Sequence, residues 1–440
     1  MRFILVLGLA SCSLIGCKIT TDKAEEENNG GATSSAAAGS SGSADSASGS
    51  GQGGGAGSSH AGAGNMDDDM SGAAGVGGSE SGAAGAAGAS GSTSAPLAPS
   101  NIPTTAALAG DGDLAITGSN CSADGKTGKI SCGGSEISGY GYELVEQTDP
   151  DHSKLAVFSA RNFTVESSAK LSLTGPYPIA LVAKDTLRIN GTVVATVDGI
   201  YTQTANAGGF SGVQGPAPGN GPGAGDAPEQ TTKSGGGGGA FCGAGGPGGG
   251  TSGPASNGGK PYGEKTLHPL LGGSSGGASD YGTSGGGGGA IHLFGGTAIE
   301  IGLTGVVAAL GGGGNALHTG AGSSGGAILI EGRKVRIAGI VTASGGGGGA
   351  YGGDAAGENG RLDGKPAKGG VGDSSGGDGS SGSMIDGAPG VKGTTASVGG
   401  SGGGGAGWIR INSTSGTADI TGTLSPNLTT KCASQGALVP

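Results

Sequence analysis

Aromatic and charged residues are both scarce in this chain. Phe, Tyr and Trp supply 3% of the 440 residues, with a single Trp, and Asp, Glu, Lys and Arg supply 12%. Most globular cores rely on aromatic area, so this core must be built from thin layers of Val, Ile, Leu and Ala. Glycine is abundant instead, with 111 residues. Because these glycines do not follow a Gly-X-Y period, a collagen helix is excluded.

Basic patches and nucleotide- or metal-binding motifs are also lacking. The chain carries 22 Lys and Arg against 33 Asp and Glu, and no stretch has the basic clustering of a nucleic-acid site. No glycine run is followed by Lys-Ser or Lys-Thr, as a phosphate-binding loop requires. No His-Glu-x-x-His helix occurs, and the glycine-rich calcium-binding repeat does not recur in tandem. We therefore predict no nucleic-acid partner, no cofactor and no metal.

The N-terminus has the order of an export signal. Met1-Arg2 precedes an apolar run, Phe3 to Ala10, that is too short to span a bilayer, and Leu14-Ile15-Gly16-Cys17 follows. This tetrapeptide resembles the lipobox of bacterial lipoproteins. The resemblance implies a signal peptide at residues 1–16, acylation of Cys17 and a lipid anchor in the outer membrane of the cell envelope. The alternative is an ordinary secretory signal with a chance cysteine.

Residues 17–100 contain almost no apolar side chain larger than Ala. Such a segment cannot bury enough surface to offset its conformational entropy, so we predict a disordered Gly/Ser/Ala tether. A coil of this composition has a root-mean-square reach of roughly 50 Å. The predicted tether would hold a folded domain clear of the membrane.

Four further cysteines remain in the exported chain, and disulfides are expected in an oxidising compartment. Three pairings are possible. Cys121 with Cys132 is the local choice, which leaves Cys242 with Cys432. A metal site is the rival interpretation, but no Cys-x-x-Cys spacing or nearby histidine supports it.

A repeat of short alternating segments runs through the second half of the chain. Phe163-Thr164-Val165, Leu171-Ser172-Leu173 and Ile179-Ala180-Leu181 form one cycle, and Leu187-Arg188-Ile189 starts the next about 24 residues later. Three short strands per cycle predict an all-β fold, a right-handed parallel β-helix of about five coils at 161–430. A β region at 101–160 precedes it and a tail at 431–440 follows. A glycine precedes the last strand of each cycle, as a corner with positive φ would require, at Gly191, Gly305, Gly339 and Gly422.

Long insertions interrupt the repeat at one position, near residues 198–288, 310–326 and 344–406, and they carry the glycine runs. Stacked insertions of this kind often form the binding face of a solenoid. Three interpretations of the runs stay open. Glycine could ease the chain through crowded corners, the runs could be disordered, or they could pack as polyproline-II strands. The polyproline-II packing would resemble the stacked polyglycine of some phage-tail adhesins and antifreeze proteins.

Parallel β-helices include polysaccharide lyases and hydrolases, so a polysaccharide-active enzyme is the alternative function. Arg188, Glu300 and Arg336 occupy matching outward positions, which an exposed ion-pair ladder explains without catalysis. His292 alternates with core residues and should point outward. The remaining charged candidates follow no catalytic pattern, so we predict no catalytic residue. These candidates are Asp185, Asp198, Glu331, Arg333 and Lys334.

The stretch Asn162 to Gly199 resembles a family of glycine-rich exported proteins that are common in myxobacteria and their relatives. The strand starts Gly-Gly-Ala-Ile-Leu-Ile and Gly-Trp-Ile-Arg-Ile, near residues 325–330 and 407–411, fit the same family. The resemblance spans roughly residues 105–430 and carries no catalytic motif, so it implies location and architecture. We therefore expect a non-enzymatic envelope lipoprotein that binds a polysaccharide, matrix or cell-surface partner through its glycine-rich loops.

Overall fold

The fold is built almost entirely from parallel strands. The structure, a computed structural model, describes residues 97–103, 108–147, 154–196, 204–228, 233–251, 255–279, 282–315, 319–353, 356–394 and 398–438. Within these ranges the protein is all-β and has no helix. Cys17 and nearly all of the predicted tether lie outside them.

The strands stack in three parallel columns. The first column contains β1 (Asp113–Ile116), β7 (Asn162–Val165), β10 (Thr186–Ile189), the ends of β12 (Ala290–Ile301) and β14 (Ala327–Ile337), and β17 (Asp419–Ile420). The second contains β2 (Cys121–Asp124), β8 (Lys170–Thr174), β11 (Thr192–Val194), β13 (Val306–Ala308), β15 (Ile340–Thr342) and β18 (Thr423–Ser425). The third contains β6 (Leu155–Ala160), β9 (Ile179–Ala183), the starts of β12 and β14, β16 (Trp408–Ser413) and β19 (Ala433–Ala437).

Three antiparallel strands lie at the N-terminal end. They are β3 (Lys129–Cys132), β4 (Ser135–Glu136) and β5 (Gly141–Val145); β3 pairs with β2, β4 with β3, and β5 with β6. Together the strands form an 11-stranded and an 8-stranded sheet, because β12 and β14 each run through two columns. The strand positions that the repeat predicts coincide with the strands of the structure.

The main core consists of aliphatic ladders between the columns. Alternate residues of each strand point inward, and the register places like residues on top of each other. Leu187 pairs with Ile299 and Ile299 with Val335, while Val193 pairs with Val307. All of these are buried. Stacked layers of this kind replace the missing aromatic area.

Two sequence-based boundaries need correction. Residues 431–440, set apart above as a tail, contain β19, which pairs with β16. Residues 97–100, assigned above to the tether, belong to a segment whose Leu97 and Ile102 are buried. Both segments were misassigned because each carries few apolar residues and no repeat signal.

The glycines that precede the second-column strands have a different role from the one predicted. Gly191, Gly305, Gly339 and Gly422 do not have positive φ. A Cβ atom on each would instead lie well inside 3.0 Å of a backbone oxygen of the preceding coil; for Gly422 that oxygen belongs to Gly339. Glycine is required here because backbones of successive coils approach closely.

The structure contains two disulfides, Cys121–Cys132 and Cys242–Cys432. The first joins residues that face each other across the antiparallel pair of β2 and β3. The second joins the first insertion to the segment before β19. Of the three possible pairings, this is the one in which Cys121 bonds to its local neighbour Cys132 and Cys242 to Cys432.

Removing the Cys121–Cys132 disulfide by a double substitution to alanine should lower the free energy of unfolding by about 2–3 kcal/mol. The ring is short, with a sequence separation of 11, so it restrains the unfolded chain only modestly. Denaturant titration under non-reducing conditions measures the loss. A loss near zero would mean that the hairpin alone restrains these residues.

Candidate functional site

The insertions pack against one another through glycine backbone. Each one connects a second-column strand to a third-column strand, so all leave the columns at the same corner. Their glycine runs are buried in the structure, except for the half-buried Gly312. The runs lie at Gly235–Gly239, Gly285–Gly289, Gly311–Gly314, Gly345–Gly349 and Gly402–Gly405. We call this body, the described parts of 204–288, 310–326 and 344–406, the glycine bundle.

Hydrogen bonds in the glycine bundle follow a period of three. Along residues 400–407, the amides of Gly400, Gly403 and Ala406 donate to carbonyls of Val391, Ala388 and Ile385. Ser401, Gly404 and Gly407 donate to Gly349, Gly346 and Ala343, and Gly402 and Gly405 donate to Gly236 and Gly239. The segment therefore bonds to three neighbours on three sides. Three residues per turn is the period of the polyproline-II helix.

Glycine is necessary for this packing because the segments contact one another through backbone atoms. A Cβ atom on Gly404 would overlap the backbone carbonyl of Ser323, and one on Gly237 would overlap that of Asn257. The polyproline-II interpretation therefore describes these segments. The interpretation of the glycine runs as disordered is wrong for the segments that the structure describes. The interpretation that glycine lets the chain pass through crowded corners explains only some of these segments.

The glycine bundle is joined to the sheets by an apolar layer. Phe241, Leu267 and Leu270 are buried against the outward face of the third column, where they meet Ala180 and Leu329. The Cys242–Cys432 disulfide lies beside this layer, with Ala406 and Trp408. The indole of Trp408 donates a hydrogen bond to the carbonyl of Tyr262. The contact gives Trp408 a packing role in this layer.

A buried polar cluster lies on the same outward face. One carboxylate oxygen of Glu331 accepts from the Ser100 hydroxyl (2.5 Å) and the Asn412 amide (2.8 Å). The other accepts from the Ser100 backbone amide (2.8 Å) and lies 3.0 Å from Nε2 of His292. His292 points away from the main core, as predicted, but the covering layer buries it completely. The cluster fastens segment 97–103 to β12, β14 and β16.

The environment of Glu331 has opposing effects on its pKa. Burial, the largest effect, raises the pKa, whereas the hydrogen bond and charge of His292 and the bonds from Ser100 lower it. The net result is a pKa lowered to about 2. The carboxylate is therefore charged at neutral pH, where it can accept all four hydrogen bonds.

This cluster does not have the geometry of a nucleophilic triad. In such a triad the histidine contacts the nucleophilic hydroxyl, whereas here Glu331 lies between Ser100 and His292. Both Glu331 and His292 are fully buried, so no substrate reaches them in this structure. A packing role explains their arrangement.

The other charged candidates are spread over exposed positions. Arg188 forms an ion pair with Glu300 at 2.8 Å, and Arg336 pairs with Asp419 at 3.5 Å. The first step of the predicted ladder is thus present, whereas Arg336, its third member, forms its ion pair with Asp419 of the next coil. Asp198 lies outside the described residues. Arg333 and Lys334 lie within β14, where its pairing with β12 shifts in register between the two columns.

Several large apolar side chains are exposed on the third insertion. Val371 is 73% exposed and Met384 60%, and Leu362 and Val391 are also exposed. Leu303, 81% exposed, lies in a turn of the sheet part, away from the insertions. Contiguous patches of exposed apolar side chains often mark an interaction surface, and the four named first share one insertion.

Sequence reasoning did not identify Ser100 and Asn412 as members of the cluster. Asn412 alternates with Arg410 and Trp408 on the outward side of β16, a pattern that could have placed it on this face. Ser100 gave no signal, since it follows a long stretch of similar residues.

The described residues contain no helix capable of crossing a membrane. In the same ranges, no group of three or more His, Cys, Asp or Glu residues is arranged to hold a metal ion. No protein-family model, no curated protein and no solved structure matches the chain.

Proposed function

We propose that this chain is a non-enzymatic cell-envelope lipoprotein whose glycine bundle binds an extracellular polysaccharide, matrix or cell-surface partner. The observation that carries the proposal is that every insertion leaves the same corner of the columns and joins one hydrogen-bonded body. A solenoid that carries its variable segments on one side commonly uses that side for binding. The apolar side chains of the third insertion lie on this body.

In this proposal the three columns are the faces of a right-handed parallel β-helix, with the five coils expected at 161–430 preceded by one coil from β1, β2 and β6. Parallel strands joined by crossovers are nearly always right-handed, and each cycle contributes one strand to each column. The antiparallel strands β3, β4 and β5 would cap its N-terminal end. The β-helix then acts as a rigid support for the glycine bundle.

The lipobox-like tetrapeptide supports the anchoring part of the proposal. Acylation of Cys17 would attach the chain to the outer membrane, and residues 18–96 would separate the β-helix from the lipid surface. We expect palmitate labelling of the natural chain and none of a Cys17→Ala variant. We also expect protease to release the folded part from intact cells; protection until lysis would contradict a surface location.

Substituting Val371 and Met384 with serine should weaken attachment of cells to a polysaccharide-coated surface. The two changes remove exposed apolar contacts, and we expect an affinity loss of about tenfold, or roughly 1.4 kcal/mol. Leu303→Ser is the matched control, because it removes an equally exposed apolar side chain outside the glycine bundle. Equal attachment by all variants would contradict binding through this surface.

A further inference from the structure

The outward face of the second column is only partly covered. Ser122, Ser172 and Val194 lie side by side on β2, β8 and β11 in matched register. The same row continues through Ala308, Thr342 and Ser425. The glycine bundle buries the row from Val194 onward, whereas Ser122 and Ser172 stay partly exposed.

A cleft of about 310 Å³ opens where this cover ends. It is lined by Ser122 and Ser172 of the sheet and by residues 204–206 of the first insertion. Asn120 and Thr196 also line it. The volume is at the lower end of the range for small-molecule sites, which suits one small ring or one unit of a polymer.

The chemistry of the cleft is polar and neutral. All the described side chains that line it are uncharged, and most of the polar ones are hydroxyls and amides. Some of these groups are already used: Thr196 exchanges hydrogen bonds with Leu310, and Asn206 donates to Gly287. The hydroxyl of Ser172 and the side-chain amide of Asn120 have no partner among the described residues, so both can bond to a ligand.

We propose that this cleft binds one neutral sugar unit of a polysaccharide, with Ser172 and Asn120 as hydrogen-bonding groups. A sugar ring offers hydroxyls that both donate and accept, which matches hydroxyl and amide side chains. An acidic sugar would meet no cation among the described lining residues and would lose part of the hydration of its carboxylate. The inference rests on the proposed function, because it assumes a polysaccharide partner and names its class and place.

The test is a titration of the full chain in detergent with neutral hexasaccharides of glucose, galactose and xylose, and with hexagalacturonate. We expect at least one neutral probe to bind and hexagalacturonate to bind about tenfold more weakly or not at all. Ser172→Leu fills the cleft and should lower the affinity at least about tenfold. Asn120→Ala, at an exposed position, gives a second variant that should leave the fold intact and also weaken binding.

Thr192→Leu is the matched control. Thr192 lies on the same sheet face, in register with Lys170 and outside the lining, so its substitution should leave the affinity within about twofold. The inference is overturned if no neutral probe binds, if hexagalacturonate binds equally well, or if binding is unchanged in both cleft variants. If cells carrying Ser172→Leu still attach while the Val371 and Met384 variant does not, only the cleft proposal fails.

Discussion

Replacing Gly404 with alanine is expected to lower the free energy of unfolding by roughly 3 kcal/mol or more. The added carbon would overlap the backbone carbonyl of Ser323. That carbonyl belongs to another buried segment of the glycine bundle, so no flexible side chain can move away. Gly404 also donates to Gly346, and a shift that relieves the overlap would break this bond. Denaturant titration of the purified variant measures the loss.

Gly382→Ala is the control for the Gly404 substitution. Gly382 is in the third insertion and has positive φ, but no atom lies within 4 Å of an added Cβ. Only the cost of a left-handed backbone applies, about 1–2 kcal/mol. A Gly404→Ala variant that is no less stable than Gly382→Ala would mean that the glycine bundle is loosely packed in solution.

The column strands could be predicted from the sequence because side-chain alternation encodes them. Leu187 and Ile189 face the core while Arg188 faces solvent, and the same pattern returns in Ile299-Glu300-Ile301 and Val335-Arg336-Ile337. Each cycle must bury the same face against its neighbours. The sequence of core-facing and solvent-facing residues within one cycle therefore predicts both the strand positions and the stacking of Arg188 on Glu300.

The glycine bundle could not be predicted in the same way. Polyglycine has no side-chain pattern, so nothing in Gly235–Gly239 indicates which segments its amides bond to. The period of three exists only in the hydrogen bonds, and the partners of residues 402 and 405 are distant in sequence. The role of the glycines that precede the second-column strands was predicted wrongly for a related reason. A need for positive φ and a close approach between two backbones both select glycine, so the sequence does not distinguish them.

Substitution of Glu331 by alanine should lower the free energy of unfolding by about 3–5 kcal/mol, because it leaves several buried hydrogen-bonding groups unpaired. Ser100, His292 and Asn412 would all lose a partner, and segment 97–103 would lose its main polar attachment to the sheet. Glu300→Ala is the matched control. Glu300 lies on the neighbouring strand in an exposed ion pair, and removing such a pair costs about 0–1 kcal/mol.

The lowered pKa of the Glu331 carboxyl also predicts how the free energy of unfolding changes as the pH falls. The pKa of Glu331 is lowered in the folded protein to about 2, below its value of about 4.3 in an unfolded chain. A group with a depressed folded pKa stabilises the fold above its unfolded pKa, and this contribution is lost as the pH falls toward the folded pKa. Natural protein should therefore lose stability between about pH 4.5 and 2 more steeply than Glu331→Gln, which has no proton to take up at this position. Parallel slopes for the two proteins, measured by denaturant titration across this range, would show that Glu331 is not held as a buried carboxylate.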